Sequence, residues 1–223
     1  MSYQIHFEKH DNHIIADIAG KKALIDTGSP ATIGTESFPF AGKMYPVHGE
    51  FGGASLSAIS GELGTRIDWL VGADALSGYR ITIDWNAQTL SVDDSSEETG
   101  GIPLTFKMGV PVVSAEINGA PVLMVFDTGA KISYAMSEVT DSVPATGTVS
   151  DFYPNFGTFE TSTRNMRVSI ASEAAELTVG QLPDDLGGLL LMMGVNGIIG
   201  NDLFKAYPRI AIDYPRKRLY LKR

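Results

Sequence analysis

Two stretches of this chain, about 100 residues apart, carry the same features in the same order. In the first, His13-Ile14-Ile15-Ala16-Asp17-Ile18-Ala19-Gly20 leads through Ala23-Leu24-Ile25 to Asp26-Thr27-Gly28. In the second, Val113-Ser114-Ala115-Glu116-Ile117-Asn118-Gly119 leads through Leu123-Met124-Val125-Phe126 to Asp127-Thr128-Gly129. Both read as strand, glycine turn, strand and then the triplet D-T-G. The match resumes downstream, where Trp69-Leu70-Val71-Gly72-Ala73-Asp74 parallels Gly197-Ile198-Ile199-Gly200-Asn201-Asp202. Each segment is followed by an Ile-x-Ile-Asp-aromatic string, Ile81 to Trp85 and Ile210 to Tyr214, and then by a short alternating strand. A repeat of this length constrains the chain to fold as two like halves.

Between the copies, Asp93-Asp94-Ser95-Ser96-Glu97-Glu98-Thr99-Gly100-Gly101 reads as a solvated linker. It divides the chain into residues 1–98 and 99–223. Short period-2 strands and frequent turns predict a mostly β fold, and 24 glycines in 223 residues favour turns over long helices. Short helices are expected near Asp74–Ser77 and Asp202–Ala206, and a third over Asp184–Met193 despite Gly187-Gly188.

Composition removes several functions. The chain has no cysteine, which excludes disulfides, thiol catalysis and cysteine-bound zinc. A net charge of −9 disfavours binding through nucleic-acid phosphates. The Leu189–Met193 apolar run is too short to span a bilayer. The first residues show neither a basic region nor an apolar signal core, so a cytoplasmic protein is expected.

The paired motifs resemble those of the aspartic peptidases, the pepsin and retropepsin clan. Both copies carry hydrophobic-D-T-G-[S/A] and hydrophobic-hydrophobic-Gly, and together they cover nearly the whole chain. The resemblance implies an acid-protease fold: two pseudo-twofold-related, retropepsin-like β-barrel halves with an active-site cleft between them. Both aspartates in one chain of this size look like a single-chain, fused retropepsin, active as a monomer. The implied partner is a peptide or protein substrate, with no cofactor, metal, nucleic acid or membrane.

The chemistry suits these residue types. Two carboxyl groups in contact hold one proton between them over a wide pH range. The ionised partner takes a proton from water while the protonated one donates to the peptide carbonyl. The resemblance places Asp26 and Asp127 as that pair. Gly28 and Gly129 let backbone approach and aim N–H groups at the carboxylates. Thr27 and Thr128 are expected to bond across the pseudo-dyad, and Gly72 and Gly200 to pack beneath the loops. Ser29 follows the first triplet and Ala130 the second. A hydroxyl at that place can stabilise the anion and Ala130 has none, so a mildly acidic optimum is expected, above about pH 3.

The halves diverge between each aspartate and its motif glycine, 46 residues apart in the first and 73 in the second. A flap over the cleft is expected in the second half, Val149–Tyr153 returning through Thr158–Thr161, with Phe152, Tyr153 and Phe156 facing the substrate. Gly49-Glu50-Phe51-Gly52-Gly53 reads as a stunted counterpart.

Other candidates read as structural. His10 and His13 flank an Asp11-Asn12 hairpin turn and are expected on a wet face, with His6 nearby and no fourth ligand spaced for a metal. His48 reads as a surface residue, and Asp84 and Asp213 as turn or ion-pair residues. Leu189–Met193 is expected in the core. Arg216-Lys217-Arg218 reads as a turn after Pro215. The rival readings are a turnover-deficient binding protein of the same fold, and a glycosidase, whose carboxyl groups lie about 5–9.5 Å apart.

Overall fold

A computed structural model of the protein describes residues 2–94, 98–153 and 157–223. The first half opens with strand Ser2–His10, which turns at Asp11 and Asn12 into His13–Ile18 and then Lys21–Ile25. Asp11 and Asn12 both take positive φ, 44° and 66°, as a two-residue hairpin turn of this hand requires. Lys21–Ile25 runs parallel to Trp69–Val71, which pairs antiparallel with Ile33–Gly34. The second half repeats this order strand for strand. Thr105–Lys107, Val110–Ile117 and Ala120–Phe126 form the meander, Ala120–Phe126 runs parallel to Gly197–Ile199, and that strand pairs with Ser133–Ala135. The mostly β, two-half architecture expected from the repeat is therefore present.

The halves share a sheet. Arg80–Asp84 of the first pairs antiparallel with Arg209–Asp213 of the second, matching Ile81 to Ile212 and Ile83 to Ile210. These are repeat-equivalent strands, so the pseudo-twofold axis passes between them. All four isoleucines are fully buried, in a cluster drawing on both halves. Asp213 is buried as well and meets Arg216 at 3.4 Å and Arg80 at 4.0 Å, while half-buried Asp84 accepts the Ala87 N–H at 2.9 Å. Both are the turn and ion-pair residues expected.

The divergence lies above this base. In the second half Gly147–Tyr153 and Gly157–Ile170 form a long hairpin, continued by Glu173–Gln181. In the first half the corresponding hairpin has two residues per strand, Glu50–Phe51 and Ala54–Ser55. A helix over Leu56–Leu63 follows it. The sequence pattern did not announce that helix, because eight residues with one glycine give a weak periodic signal. Its ends are well specified: the Ser55 hydroxyl caps the Ala58 N–H, and Gly64 closes it at φ 64°. The expected helix appears over Asp184–Met192, the one after Gly72 over Ala73–Leu76, and the stretch after Gly200 is a 3₁₀ turn, Asn201–Lys205. The Leu189–Met193 run is split rather than wholly core. Leu190 is buried, whereas Leu191 and Met192 are 58% and 87% exposed. Among the described residues no helix is long and apolar enough to cross a membrane.

The shared sheet makes a cooperative fold the expectation. Ile212→Ala deletes a buried side chain at the junction and should cost about 2–5 kcal/mol. Urea unfolding followed by circular dichroism and tryptophan fluorescence should shift as one transition, since Trp69 and Trp85 both lie in the first half. Loss of second-half structure alone would refute this coupling.

Candidate active site

Each D-T-G triplet leaves the end of a central strand, Lys21–Ile25 or Ala120–Phe126, and enters a loop. The Asp26 N–H donates to Val71 O at 3.0 Å, and the Asp127 N–H to Ile199 O at 2.9 Å. Both aspartates are thereby anchored to the motif strand of their own half. Gly72 and Gly200 lie directly beneath. A Cβ on Gly72 would overlap the Ala31 backbone, and one on Gly200 would overlap the carbonyls of Ile132 and Ala130. Here backbone packs on backbone, which only glycine permits.

The threonines join the two loops. The Thr27 N–H donates to Thr128 Oγ1 at 3.1 Å, and the Thr128 N–H to Thr27 Oγ1 at 3.0 Å. The hydroxyls then donate onward, Thr27 to Phe126 O and Thr128 to Ile25 O, each at 2.7 Å. Both side chains are buried, and the four bonds are related by the pseudo-twofold axis.

This exchange brings the carboxyl groups of Asp26 and Asp127 together, hydrogen-bonded to one another. Each lies over the other loop's glycine. A Cβ on Gly129 would sit 2.6 Å from Asp26 Cγ, and one on Gly28 would overlap the Asp127 carboxyl. Asp26 Oδ1 accepts the N–H groups of Gly28 at 3.0 Å and Ser29 at 2.9 Å. Asp127 Oδ1 accepts that of Gly129 at 2.7 Å. Burial, then the charge and hydrogen bond of Asp127, push the Asp26 carboxyl well above the usual range. Burial also raises Asp127, against the opposing pull of its hydrogen bonds. Contact between the carboxyls does not fit the wider spacing of a glycosidase pair.

The Ser29 hydroxyl does something other than expected. It donates to Ala31 O at 2.8 Å, and only the Ser29 backbone N–H serves Asp26. The Ala130 N–H reaches only the main-chain carbonyl of Asp127, at 3.4 Å, so the loops still differ by one donor, supplied by backbone rather than by the hydroxyl.

A second pair of bonds, not singled out from the sequence, holds the loops from below. Thr32 Oγ1 accepts the Gly72 N–H at 3.1 Å and donates to Asp74 at 2.5 Å. Ser133 Oγ accepts the Gly200 N–H at 3.2 Å and donates to Asp202 at 2.7 Å. The signal was available: each hydroxyl lies six residues after its aspartate, and each acid two after its motif glycine. Burial raises the Asp202 carboxyl to about 7.

The second-half hairpin covers the cleft. Tyr153 lines it, and its phenol is pushed up to about 12, first by burial and then by the charges of Asp127 and Asp26. Phe152 goes further and packs on the first-half cluster of Ile15, Leu24, Ile33, Ile59 and Leu70. Thr158 Oγ1 donates to Glu62 on the Leu56–Leu63 helix at 2.7 Å. Asp151 is buried, accepts the Tyr134 hydroxyl and lies 3.9 Å from Lys131. Phe156 and the rest of the expected tip lie outside the described residues. Under this roof remains a cavity of about 70 Å³, reached by both aspartates and lined mostly by apolar groups such as Leu24, Ile59, Leu186 and Ile198.

His13 departs from the wet face expected of it. It does pair with His10 across the turn, but only 1% of its surface is exposed, and Phe152 lies over it with ring centroids 5.9 Å apart. Burial lowers its pKa. His10 Nε2 donates to Leu63 O at 2.7 Å, and His48 is exposed as expected. Among the described residues no three His, Asp or Glu side chains converge as a metal site requires.

Two outcomes follow from the bonds. Thr27→Val removes the partner of the Phe126 carbonyl and of the Thr128 N–H, at about 1–3 kcal/mol for each buried group left unpaired. Thr128→Val should cost about the same, and clearly unequal denaturation midpoints would break the symmetry. Asp202, whose folded pKa is raised, favours folding below its unfolded value near 3.8, and this contribution is lost as pH rises through about 7. Over that interval stability should fall by up to ~4 kcal/mol from this group, and Asp202→Asn should flatten the fall. An unchanged pH dependence of unfolding in the variant would refute the assignment.

No family model matches the chain, and no curated protein matches it in sequence. Among solved structures it is similar to the solution structure of Simian Foamy Virus (mac) protease. That similarity has 15% identity and a TM-score of 0.32, over 42% of this chain and 91% of that one.

Proposed function

We propose that this protein is an aspartic endopeptidase built from two halves, residues 1–98 and 99–223, acting as a monomer on an extended peptide or protein segment. The observation that carries the reading is the pair of carboxyls in mutual hydrogen-bond contact over each other's loop glycine. Two buried acids in contact share one proton, because placing two negative charges there is prohibitive. The pair titrates as a unit, and neither aspartate is assigned a fixed role.

In this mechanism a water between the carboxyls attacks the peptide carbonyl carbon. The ionised carboxylate takes the water's proton, and the protonated partner gives its own to the carbonyl oxygen. The resulting gem-diol then loses its C–N bond: the protonated acid of the pair gives its proton to the leaving amine while the ionised one takes a proton from a diol hydroxyl, which leaves a carboxylic acid and restores the pair's single proton. Rigid loops favour this chemistry, since the acids hold their geometry before substrate arrives. The cavity of about 70 Å³ is reached by both acids, where the attacking water would sit. The mostly apolar lining supports apolar side chains on either side of the cut bond.

The test is cleavage of an unfolded protein from pH 3 to 7, with and without a statine-type inhibitor. Asp26→Asn and Asp127→Asn should each reduce kcat/KM by about 10²–10⁴-fold or more. The raised carboxyl values place the alkaline limb of the pH–rate profile above the ordinary carboxylate value near 4. Cleavage that persists in both variants, or a profile peaking below about pH 3, would defeat the reading. Inhibitor binding without any cleavage would favour a turnover-deficient binding protein of the same fold.

A further inference from the structure

The two catalytic loops are supported differently from outside, although their inner bonds are symmetric. The turn between the first two strands of each half meets the residue that follows the motif glycine of the other half, Asn201 or Ala73. On the second loop the contact is polar and buried. Asn201, 1% exposed, uses its Nδ2 to donate to Thr128 O and to Asn12 O, each at 2.8 Å. The Asn12 Nδ2 donates to Lys131 O, and Lys131 Nζ reaches Asp11 at 2.9 Å. The first-half turn thus holds Lys131 O directly and meets Asn201 of the second half, which holds Thr128 O, so carbonyls on both sides of Gly129-Ala130 are tied into one network. On the first loop the equivalent of Asn201 is Ala73, and the equivalent turn is Met108-Gly109. There the contact is apolar, with a Cβ on Gly109 falling 3.8 Å from Ala73 Cβ.

Asn201 is retained at a cost. Its Oδ1 is buried and has no partner among the described residues. Two carbonyls fix the amide's orientation, since a flipped amide would set oxygen against oxygen. Ala73 shows that the fold accepts a small apolar side chain at this place, so packing alone does not call for an amide.

We propose that Asn201 and Asn12 are positioning residues that brace the Asp127 loop against the opposite half and hold the Asp127 carboxyl in register with Asp26. Neither touches the carboxyls; both act through the backbone of Thr128 and Lys131. The brace also meets the roof, because Lys131 lies between Asp11 and the buried Asp151. The kinetic consequence rests on the peptidase reading, whereas the structural consequence does not.

The test uses the full chain with two substitutions. Asn201→Ala installs the residue found at the equivalent place in the first half and removes two bonds. Asn12→Gly suits the positive φ of the turn, keeps the Asn12 carbonyl and removes only the donor to Lys131. Hydrogen exchange should speed up by about tenfold at the Gly129 and Ala130 amides in Asn201→Ala, with Gly28 and Ser29 little changed. The kcat should fall by about 10–100-fold while KM stays within about twofold. Asn12→Gly should give smaller changes in the same direction, and it decides the matter should Asn201→Ala fail to fold. Equal changes in both loops, no change in either, or a raised KM at constant kcat would overturn the proposal. A wild-type protein without cleavage would defeat the peptidase reading, and the exchange pattern would still decide the brace.

Discussion

Thr27 and Thr128 each give a backbone N–H to the other's hydroxyl and pass the hydroxyl proton on to a carbonyl of the opposite strand. All four bonds lie in a dry interior, where an unpaired polar group is expensive. The exchange can form only if the two loops meet head to head, so it sets their distance and angle together. The approach of Asp26 to Asp127, and the glycines that make room for it, follow from that meeting. Without it, two buried acids would have no reason to stay in contact, because their charges oppose it.

Below the loops, the Ile81–Ile212 and Ile83–Ile210 pairs lie on the same pseudo-twofold axis. The axis therefore runs from an apolar base through the threonine exchange to the acids. The base supplies burial and cooperativity, and the exchange supplies register. The Thr32–Asp74 and Ser133–Asp202 bonds repeat one solution twice, tying each motif glycine to its own loop. Burial of Asp202 makes the second copy sensitive to pH in a range where exposed carboxylates are indifferent.

Much of this was legible in the residues. The double D-T-G, the paired glycine motifs and the Ile-x-Ile-Asp strings marked the symmetric part, because symmetry forces the same residue types at matching places. The parts that escaped are those where the halves differ. The Leu56–Leu63 helix is too short for periodicity to announce and depends on its caps. His13 looked exposed because it flanks a polar turn, but the roof of the other half covers it, a contact nearly 140 residues away in sequence. Ser29 carries the expected hydroxyl, yet its side chain prefers the nearby Ala31 carbonyl. Asn201 stands where the first half has Ala73, and its bond to the opposite turn depends on tertiary packing that the repeat pattern does not encode.

The roof comes from one half only and comes down on a helix of the other through Phe152 and Thr158. A floor with twofold symmetry presents the same face to a strand laid across it in either sense. A single overhang removes that equivalence. The two directions across the floor are thus unlike within the chain itself. That is a property no pairing of identical subunits around a true twofold axis can possess before something binds.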